Sequence, residues 1–481
     1  MIKQRSGIDP VRLRALTTAS LILLGLTGCA TPDAQQAWAP VQESLAPHLQ
    51  QQVRWARTDE ERLELARRTA ELLKEPLSID AAVQVALFNQ RGLQAAFEDL
   101  GIAQADLIQA GRLPNPGFGL ARSVHGGEVE IETGLHFNLA RLLLRPLLQD
   151  IEARRLDQAR QRAATSVLTL VAETRRAWIL AVSAEESVRY TRQVLDAAQA
   201  SAELARRMAR VGNFNVLRQA REQSFYAEAA LQHARAEQQR RATRERLART
   251  LGLWGEQTAF RLPERLPDLP AQPRDLPQIE SMAIAQRLDL RSAREQIAQL
   301  ARQVDLARVS RWVNVAELGL ARETADEGPT RRTVELGFEI PIFDTGDARL
   351  ARAQHVYMQA VHRSTEAAIN ARSEVREAYS AYRSSWEIAR HQREEIVPLA
   401  RRISEENLLR YNGMLIGVFE LLADARSQIA SVHGSIDALR DFWLAQADLD
   451  LTLVGPGRSP GLGAPTASIG NSATAAKADA H

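Results

Sequence analysis

Arg410-Tyr-Asn-Gly-Met-Leu-Ile-Gly-Val-Phe-Glu-Leu-Leu-Ala-Asp-Ala-Arg-Ser-Gln428 reads as the end of one helix, a glycine turn and the start of another. About 205 residues earlier the chain has Gly212-Asn-Phe-Asn-Val-Leu-Arg-Gln-Ala-Arg-Glu-Gln223. Superposing Gly417 on Gly212 brings Phe419 onto Phe214, Leu422 onto Leu217, Ala425 onto Ala220, Arg426 onto Arg221 and Gln428 onto Gln223. A helical hairpin therefore occurs twice. The similarity extends outward. Glu173-Thr-Arg-Arg-Ala-Trp178 lies on Glu374-Val-Arg-Glu-Ala-Tyr379, and Gly119-Leu-Ala-Arg122 on Gly319-Leu-Ala-Arg322. Gly134-Leu-His-Phe-Asn-Leu139 lies on Gly337-Phe-Glu-Ile-Pro-Ile342. Four matches in one order, with offsets of about 200 to 205, indicate a duplication. The period is longer than that of solenoids, so the expectation is two copies of one domain-sized unit.

Each copy changes periodicity in the same order. Ser78 is a candidate N-cap for a helix running to about Arg112, where Pro114 and Pro116 stop it. Glu128-Val-Glu-Ile-Glu-Thr-Gly-Leu-His-Phe137 then alternates strictly, the strand signal. Val129, Ile131, Thr133, Leu135 and Phe137 share one face, and Glu128, Glu130, Glu132 and His136 the other. His125-Gly-Gly127 marks the turn from a preceding strand. The second copy repeats this with Val334, Leu336, Phe338 and Ile340 against Glu335 and Glu339, and its loop is Asp326-Glu-Gly-Pro329. A long helix follows each strand pair, from about Pro146 to Val211 and from about Thr345 to Asn412. Each spans roughly 100 Å, far beyond a globular core. Pro398 is expected to kink the second helix or disturb its winding. Shorter helices at about 79–113, 214–252, 279–311 and 418–453 complete the set. Two of them end to end match one long helix, which suggests a layered barrel of helices. Pro263, Pro267, Pro270, Pro273 and Pro277 mark a linker without regular structure. Residues 30–50, with Pro32, Pro40 and Pro47, are expected to be extended, and 51–74 helical.

Composition agrees with long helices: Ala, Leu, Arg, Glu and Gln dominate and only 5% of residues are aromatic. The net charge is +2, but the first 28 residues contribute +3 of it, so the remainder gives no electrostatic case for nucleic acid. No stretch reaches the roughly 18 to 20 apolar residues of a spanning helix. Cys29 is the single cysteine, which excludes a disulfide framework and a thiolate metal site. It follows a basic start and the apolar run Ala15 to Leu26, in Leu26-Thr-Gly-Cys29-Ala. The run suits a signal peptide. Leu-x-Gly-Cys resembles a bacterial lipobox, which implies lipidation at Cys29. The alternative is an ordinary secretory signal with a chance cysteine. Ala30 stands where an inner-membrane retention signal has Asp, which favours the outer membrane. There is no P-loop, Gly-x-Ser-x-Gly, His-Glu-x-x-His or Cys/His cluster, so no enzyme chemistry, cofactor or metal is expected.

The duplication, the element order, the glycine tip before Leu-Leu-x-x-Ala and Gly-x-x-Ile-Pro-Ile-Phe-Asp-x-Gly346 together resemble the TolC-like outer membrane efflux family, over about residues 77–454. The lipobox fits the acylated branch of that family. The resemblance implies a mainly α chain with a small β part. It implies a homotrimer whose four strands per subunit close a transmembrane β-barrel in outer-membrane lipid, continued by an α-barrel through the periplasm. Closure also has a physical reason, since open strand edges cannot face lipid. The resemblance further implies work with a periplasmic adaptor (membrane fusion) protein and an inner-membrane transporter, the chain itself being a passive duct. The competing reading is a periplasmic coiled-coil scaffold or adaptor lipoprotein without a pore. The expected organisation is a signal peptide at 1–28, an N-terminal periplasmic segment at 29–76, a first copy at 77–254, a linker at 255–277, a second copy at 278–454 and a tail at 455–481.

Channels of this kind close at the periplasmic tip, partly through acidic residues. Asp424 is the match, with Glu420 one turn earlier on the same face, and three copies would form a carboxylate ring. On the alignment above, the first copy has Gln219 and Asn215 there, so the acidity belongs to one copy. The turns at Gly212, Gly413 and Gly417 are expected to meet the adaptor. Glu128, Glu130, Glu132, Glu335 and Glu339 are candidate lumen residues. Solvated helix charges, solvated strand faces and simple helix punctuation are the plainer readings of these three sets.

Overall fold

The computed structural model describes residues 34–457 except 126–127, 312–314, 326–328 and 341. The expected signal peptide, Cys29, the His125–Gly127 and Asp326–Pro329 turns in part, and the tail beyond residue 457 lie outside the described residues. Two helices come first, α1 (Ala34–Leu45) and α2 (Asp59–Leu72). Then follow α3 (Ile79–Asn89), α4 (Arg91–Gly111), strands β1 (Gly117–His125) and β2 (Glu128–Asn138), the long α5 (Leu139–Arg210) and α6 (Val216–Leu251). The same order runs again as α7 (Ile279–Gln286), α8 (Leu288–Ser310), β3 (Ala316–Ala325), β4 (Arg331–Phe338), α9 (Asp347–His391), α10 (Val397–Asn412) and α11 (Val418–Val454). The four strands form one antiparallel sheet in the order β1-β2-β3-β4.

Several boundaries depart from expectation, each for a local reason. Residues 34–45 are helical, not extended, because Ala37, Trp38, Val41 and Leu45 fall on one stripe and are buried. That burial outweighs Pro40 inside the helix. The charged stretch begins its helix only at Asp59, where Thr58 and Glu61 form a capping box. Ser78 does cap α3, accepting from the Ala81 amide. The helix expected to run on to Arg112 breaks at Gln90, whose extended backbone ends α3 and whose side chain caps α4 at Gly92. Gly252 explains the closeness at this break. It has φ +70°, and a Cβ there would sit 2.8 Å from the Asn89 carbonyl oxygen. The corresponding break in the second half is at Arg287.

The long helices start and wind differently from the reading as well. α5 begins at Leu139, where the Asn138 side chain accepts from the Arg141 amide, so Pro146 lies inside it and not at its start. Its 72 residues make about 108 Å. Its partner is interrupted as Pro398 demands. Proline would crowd the carbonyl four residues back, and residues 392–396 widen into a π-turn ahead of it, with the Val397 amide donating to the Gln392 carbonyl. α9 and α10 then continue as one path.

The core sits at mid-length of the long helices. Val167, Val171, Trp178 and Val182 of α5 belong to one buried apolar cluster with residues of α3, α4, the end of α6, α7, Tyr382 of α9 and Phe442 of α11. Trp178 Nε1 donates to the Leu77 carbonyl at 2.7 Å, and Tyr379 Oη, at the matching position, takes the Leu276 amide at 3.4 Å. Both therefore pin the chain just ahead of a helix. The proline-rich linker has no helix or strand after Ala259 yet is tied down. Trp386 and Trp443 donate to the Pro270 and Pro267 carbonyls, each at 3.0 Å, and Leu266 and Leu269 are buried.

Arg287 is a fully buried charged side chain and sits at the second helix break. It donates to both Asp289 oxygens and, at 2.7 Å, to Glu374, which also takes the Gly457 amide at 3.0 Å. Burial opposes its charge, but the hydrogen bonds and charges of Asp289 and Glu374 outweigh that and push its pKa up. Removing the arginine costs its charged hydrogen bonds and leaves two half-buried carboxylates without it, so Arg287→Ala is expected to cost about 1.5–3 kcal/mol. Equilibrium denaturation of the two proteins measures the difference, and a loss within error of zero would show that solvent replaces the arginine.

Candidate gate and strand surfaces

The two hairpin tips are built by backbone geometry. At the end of α5, Gly212 takes φ +78°, its amide bonds the Ala209 carbonyl and the Asn213 amide bonds the Met208 carbonyl. This is a Schellman close, after which Asn215 caps α6 by accepting from the Arg218 amide at 2.8 Å. At the end of α10 the left-handed residue is Met414, with φ +58°, and the amides of Met414 and Leu415 bond the Tyr411 and Arg410 carbonyls. Gly413 and Gly417 have φ −79° and −84°, and Gly417 stands at the N-cap of α11.

This corrects the superposition of Gly417 on Gly212. By helix ends and by the left-handed residue, Gly212 corresponds to Met414 and Asn215 to Gly417. The residue that corresponds to Asp424 is then Glu222, not Gln219. On this register the first copy has an acid, Glu222, in the place of Asp424 but Arg218 in the place of Glu420. Gly417 is at a cap where any residue fits, and the glycine-for-glycine match followed side-chain identity where the backbone follows helix ends.

Glu222 was not singled out from sequence, and near the tips it joins three helices. It is buried, Ser201 of α5 donates to it at 2.7 Å, and Arg426 of α11 pairs with it at 3.1 Å. The Arg426 guanidinium also lies 4.2 Å from the Phe225 ring centroid. Three helices thus meet at one carboxylate. Below it Val194, Ala198 and Ala229 pack with Tyr190, Phe225 and Ile429, and Tyr190 Oη donates to the Ile429 carbonyl. Asp424 is half-buried, and its Oδ2 is enclosed without a hydrogen-bond partner among the described residues. Glu420 is exposed. The structure brings Asp424 near the Arg426–Glu222 junction on α11 and leaves Glu420 at the first turn of that helix.

In the sheet, Glu132 lies opposite Glu323, and Glu335 shares a cross-strand row with His136, so these carboxylates stand on one face. Glu130 is half-buried and accepts from Ser123 at 3.2 Å. Glu132 and Glu335 are exposed. Glu128 opens β2, and its side chain lies outside the described residues. Glu339 falls just past β4, its amide still bonding the Val315 carbonyl at 3.4 Å. Glu317 and Glu323 join the same face, a signal present in the period-two pattern of β3. Four glycines on this face, Gly117, Gly119, Gly134 and Gly319, leave room for the His136 side chain, which a Cβ at any of them would approach within 3.4 to 3.7 Å. The opposite face is apolar and open, with Phe118 70%, Val334 71% and Phe338 64% exposed. Among the described residues no helix is long and apolar enough to cross a membrane, and no group of three His, Cys, Asp or Glu could hold a metal ion.

This arrangement is shared with solved structures. The outer membrane channel CmeC of Campylobacter jejuni matches with a TM-score of 0.66 at 15% identity, over 78% of this chain and 85% of that one. The open state of the MtrE outer membrane channel of Neisseria gonorrhoeae matches with a TM-score of 0.64 at 18% identity, over 78% and 89%. The outer membrane protein VceC of Vibrio cholerae gives 0.63 at 14%, over 81% and 96%. The chain has the fold of outer-membrane channels. No protein-family model and no curated protein matches the sequence. At these identities the likeness is one of fold, and the tip and strand residues carry the rest of the argument.

Two outcomes follow at the tips. Glu222→Ala should raise amide exchange along 216–226 and 418–430 on the order of tenfold, since a hydrogen bond to a charged group is lost, while 167–182 stay protected. Unchanged exchange would show that the three-helix junction holds nothing. Met414→Gly should stabilise by about 1 kcal/mol by relieving a left-handed non-glycine residue, read from denaturant midpoints.

Proposed function

We propose that this chain is the subunit of an outer-membrane channel, a passive exit duct for solutes in a tripartite efflux system. The observation that carries the reading is the four-stranded sheet. Its apolar face is uncovered, and its edge strands β1 and β4 each have a neighbour on one side only. Such edges cannot sit in lipid unpaired. Three copies side by side would close the sheet into a barrel with the glutamate face toward the lumen and the apolar face toward lipid. The helices would continue that barrel as a tunnel, an arrangement supported by the fold it shares with outer-membrane channels.

The homotrimer has a second support in α10. It has no buried residue and exposes Leu399, Ile403, Leu408 and Leu409, apolar surface that suits a neighbouring subunit. The two copies, 77–254 and 278–454, are read as one unit duplicated, supported by the recurring element order and by the paired roles of Trp178 and Tyr379. Lipidation at Cys29 would anchor the N-terminus in the outer membrane. The tips at Gly212, Gly413 and Gly417 would meet a periplasmic adaptor, which in turn would join an inner-membrane transporter. In this scheme Glu420 and Asp424 line the narrow end of the tunnel, and the Glu222–Arg426 pair of each subunit holds that end shut.

Planar-bilayer recordings test the reading. The purified protein should conduct as a trimer, and Glu420→Ala with Asp424→Ala should raise conductance or weaken cation preference by severalfold. A monomer that inserts no conductance would replace the channel with a periplasmic scaffold. A conducting trimer unaffected by the double substitution would remove only the acidic gate.

A further inference from the structure

Directly opposed residues on an antiparallel sheet share a face, so the register sorts the sheet by chemistry. The apolar face carries Phe118, Leu135, Leu320 and Val334 in one row, and Phe137, Leu318 and Leu336 in the next row toward the helices. Phe338, opposite Ala316, closes the helix-ward end. Toward the hairpin tips the same face changes character. The next row there is Leu120, Thr133, Arg322 and Arg332, and Arg122 lies one row beyond, beside Ile131 and Thr324. All three arginines are exposed. The carboxylates Glu132, Glu317, Glu323 and Glu335 stand on the opposite face, so no acid of that set balances these charges.

Arg332 is six residues from Phe338, about 20 Å along the strand. An arginine stem lies over apolar surface and carries its head onward, so the guanidiniums reach the tip-ward edge of an apolar band that aromatic rings bound at its other end. An apolar band bordered by fixed positive charge is the complement of a lipid whose chains end in phosphate. We propose that Arg122, Arg322 and Arg332 form a site for the phosphate of an anionic lipid in the leaflet on the hairpin-tip side. The proposal rests on the reading of the sheet as part of a membrane barrel. Guanidinium suits phosphate through paired N–H donors. The apolar residues beneath take the acyl chains, which distinguishes a lipid from free phosphate.

Native mass spectrometry of the detergent-released assembly tests this, with phosphatidylglycerol and phosphatidylcholine of identical chains as probes. The unmodified protein should retain the anionic lipid over the zwitterionic one on the order of tenfold, given three surface arginines per subunit. Arg122→Gln, Arg322→Gln and Arg332→Gln together should bring the two lipids level. The same three positions as lysine should restore most of the preference, and Arg322→Gln alone should lose part of it. Conductance in phosphatidylcholine bilayers should match the unmodified protein in every variant. A glutamine variant that conducts normally and keeps the full preference overturns the lipid site and leaves the channel standing. An unmodified protein that forms no conducting barrel overturns both.

Discussion

The backbone groups on the outer edges of β1 and β4 set the terms for the rest of the molecule. In water an open edge is tolerated; in hydrocarbon each unpaired amide or carbonyl costs several kcal/mol. A sheet of four strands is too small to close on itself, so under the proposed placement in lipid its edges would be met by other copies of the chain. The side chains agree with that placement. Apolar residues and arginines lie on one face, and glutamates, glycines and His136 on the other. The long helices then serve as extensions of the strands, since β2 passes into α5 without a break and the Asn138 side chain caps the junction.

Packing along the helices is uneven, and the unevenness is informative. Large buried side chains gather at mid-length, where short helix ends, the tied-down linker and the Arg287 network meet. Toward the tips, alanines such as Ala198, Ala202 and Ala205 let α5 approach its neighbours, and polar contacts replace the apolar core. Among the described residues Glu222 is the one buried acid in that region with partners on two other helices. The middle is thus held by many apolar contacts and the tips by a small number of polar ones.

Much of this was legible in the sequence. Period two in Glu128–Phe137 located a strand because apolar and polar residues alternate there, and Pro398 announced the disturbed turn at 392–396. The helix break at Gln90 was missed, because the apolar period runs on through it and Gly92 alone does not end a helix; Gly252, far away in sequence, makes room for the break. Pro40 misled in the other direction, since four buried side chains hold that helix regardless. The tip register failed for a related reason. Glycine was matched to glycine, but a Schellman close needs a left-handed residue wherever the helix ends, and in the second hairpin that residue is Met414. Correcting the register paired Asp424 with Glu222 and exposed a junction that no motif had suggested.

The claim that β1 of one copy pairs with β4 of the next is the most exposed part of the account. It can be tested by oxidative cross-linking, because Cys29 is the single cysteine and can be replaced by serine. Single cysteines would be placed on β1 at Ala121 and Ser123 and combined with cysteines on β4 at Thr333 and Glu335. Oxidation in isolated membranes should give a covalent trimer for at least one combination and none for cysteines on opposite faces, such as Leu120 with Thr333. Monomer alone across every combination would contradict closure by the strands, and with it the channel.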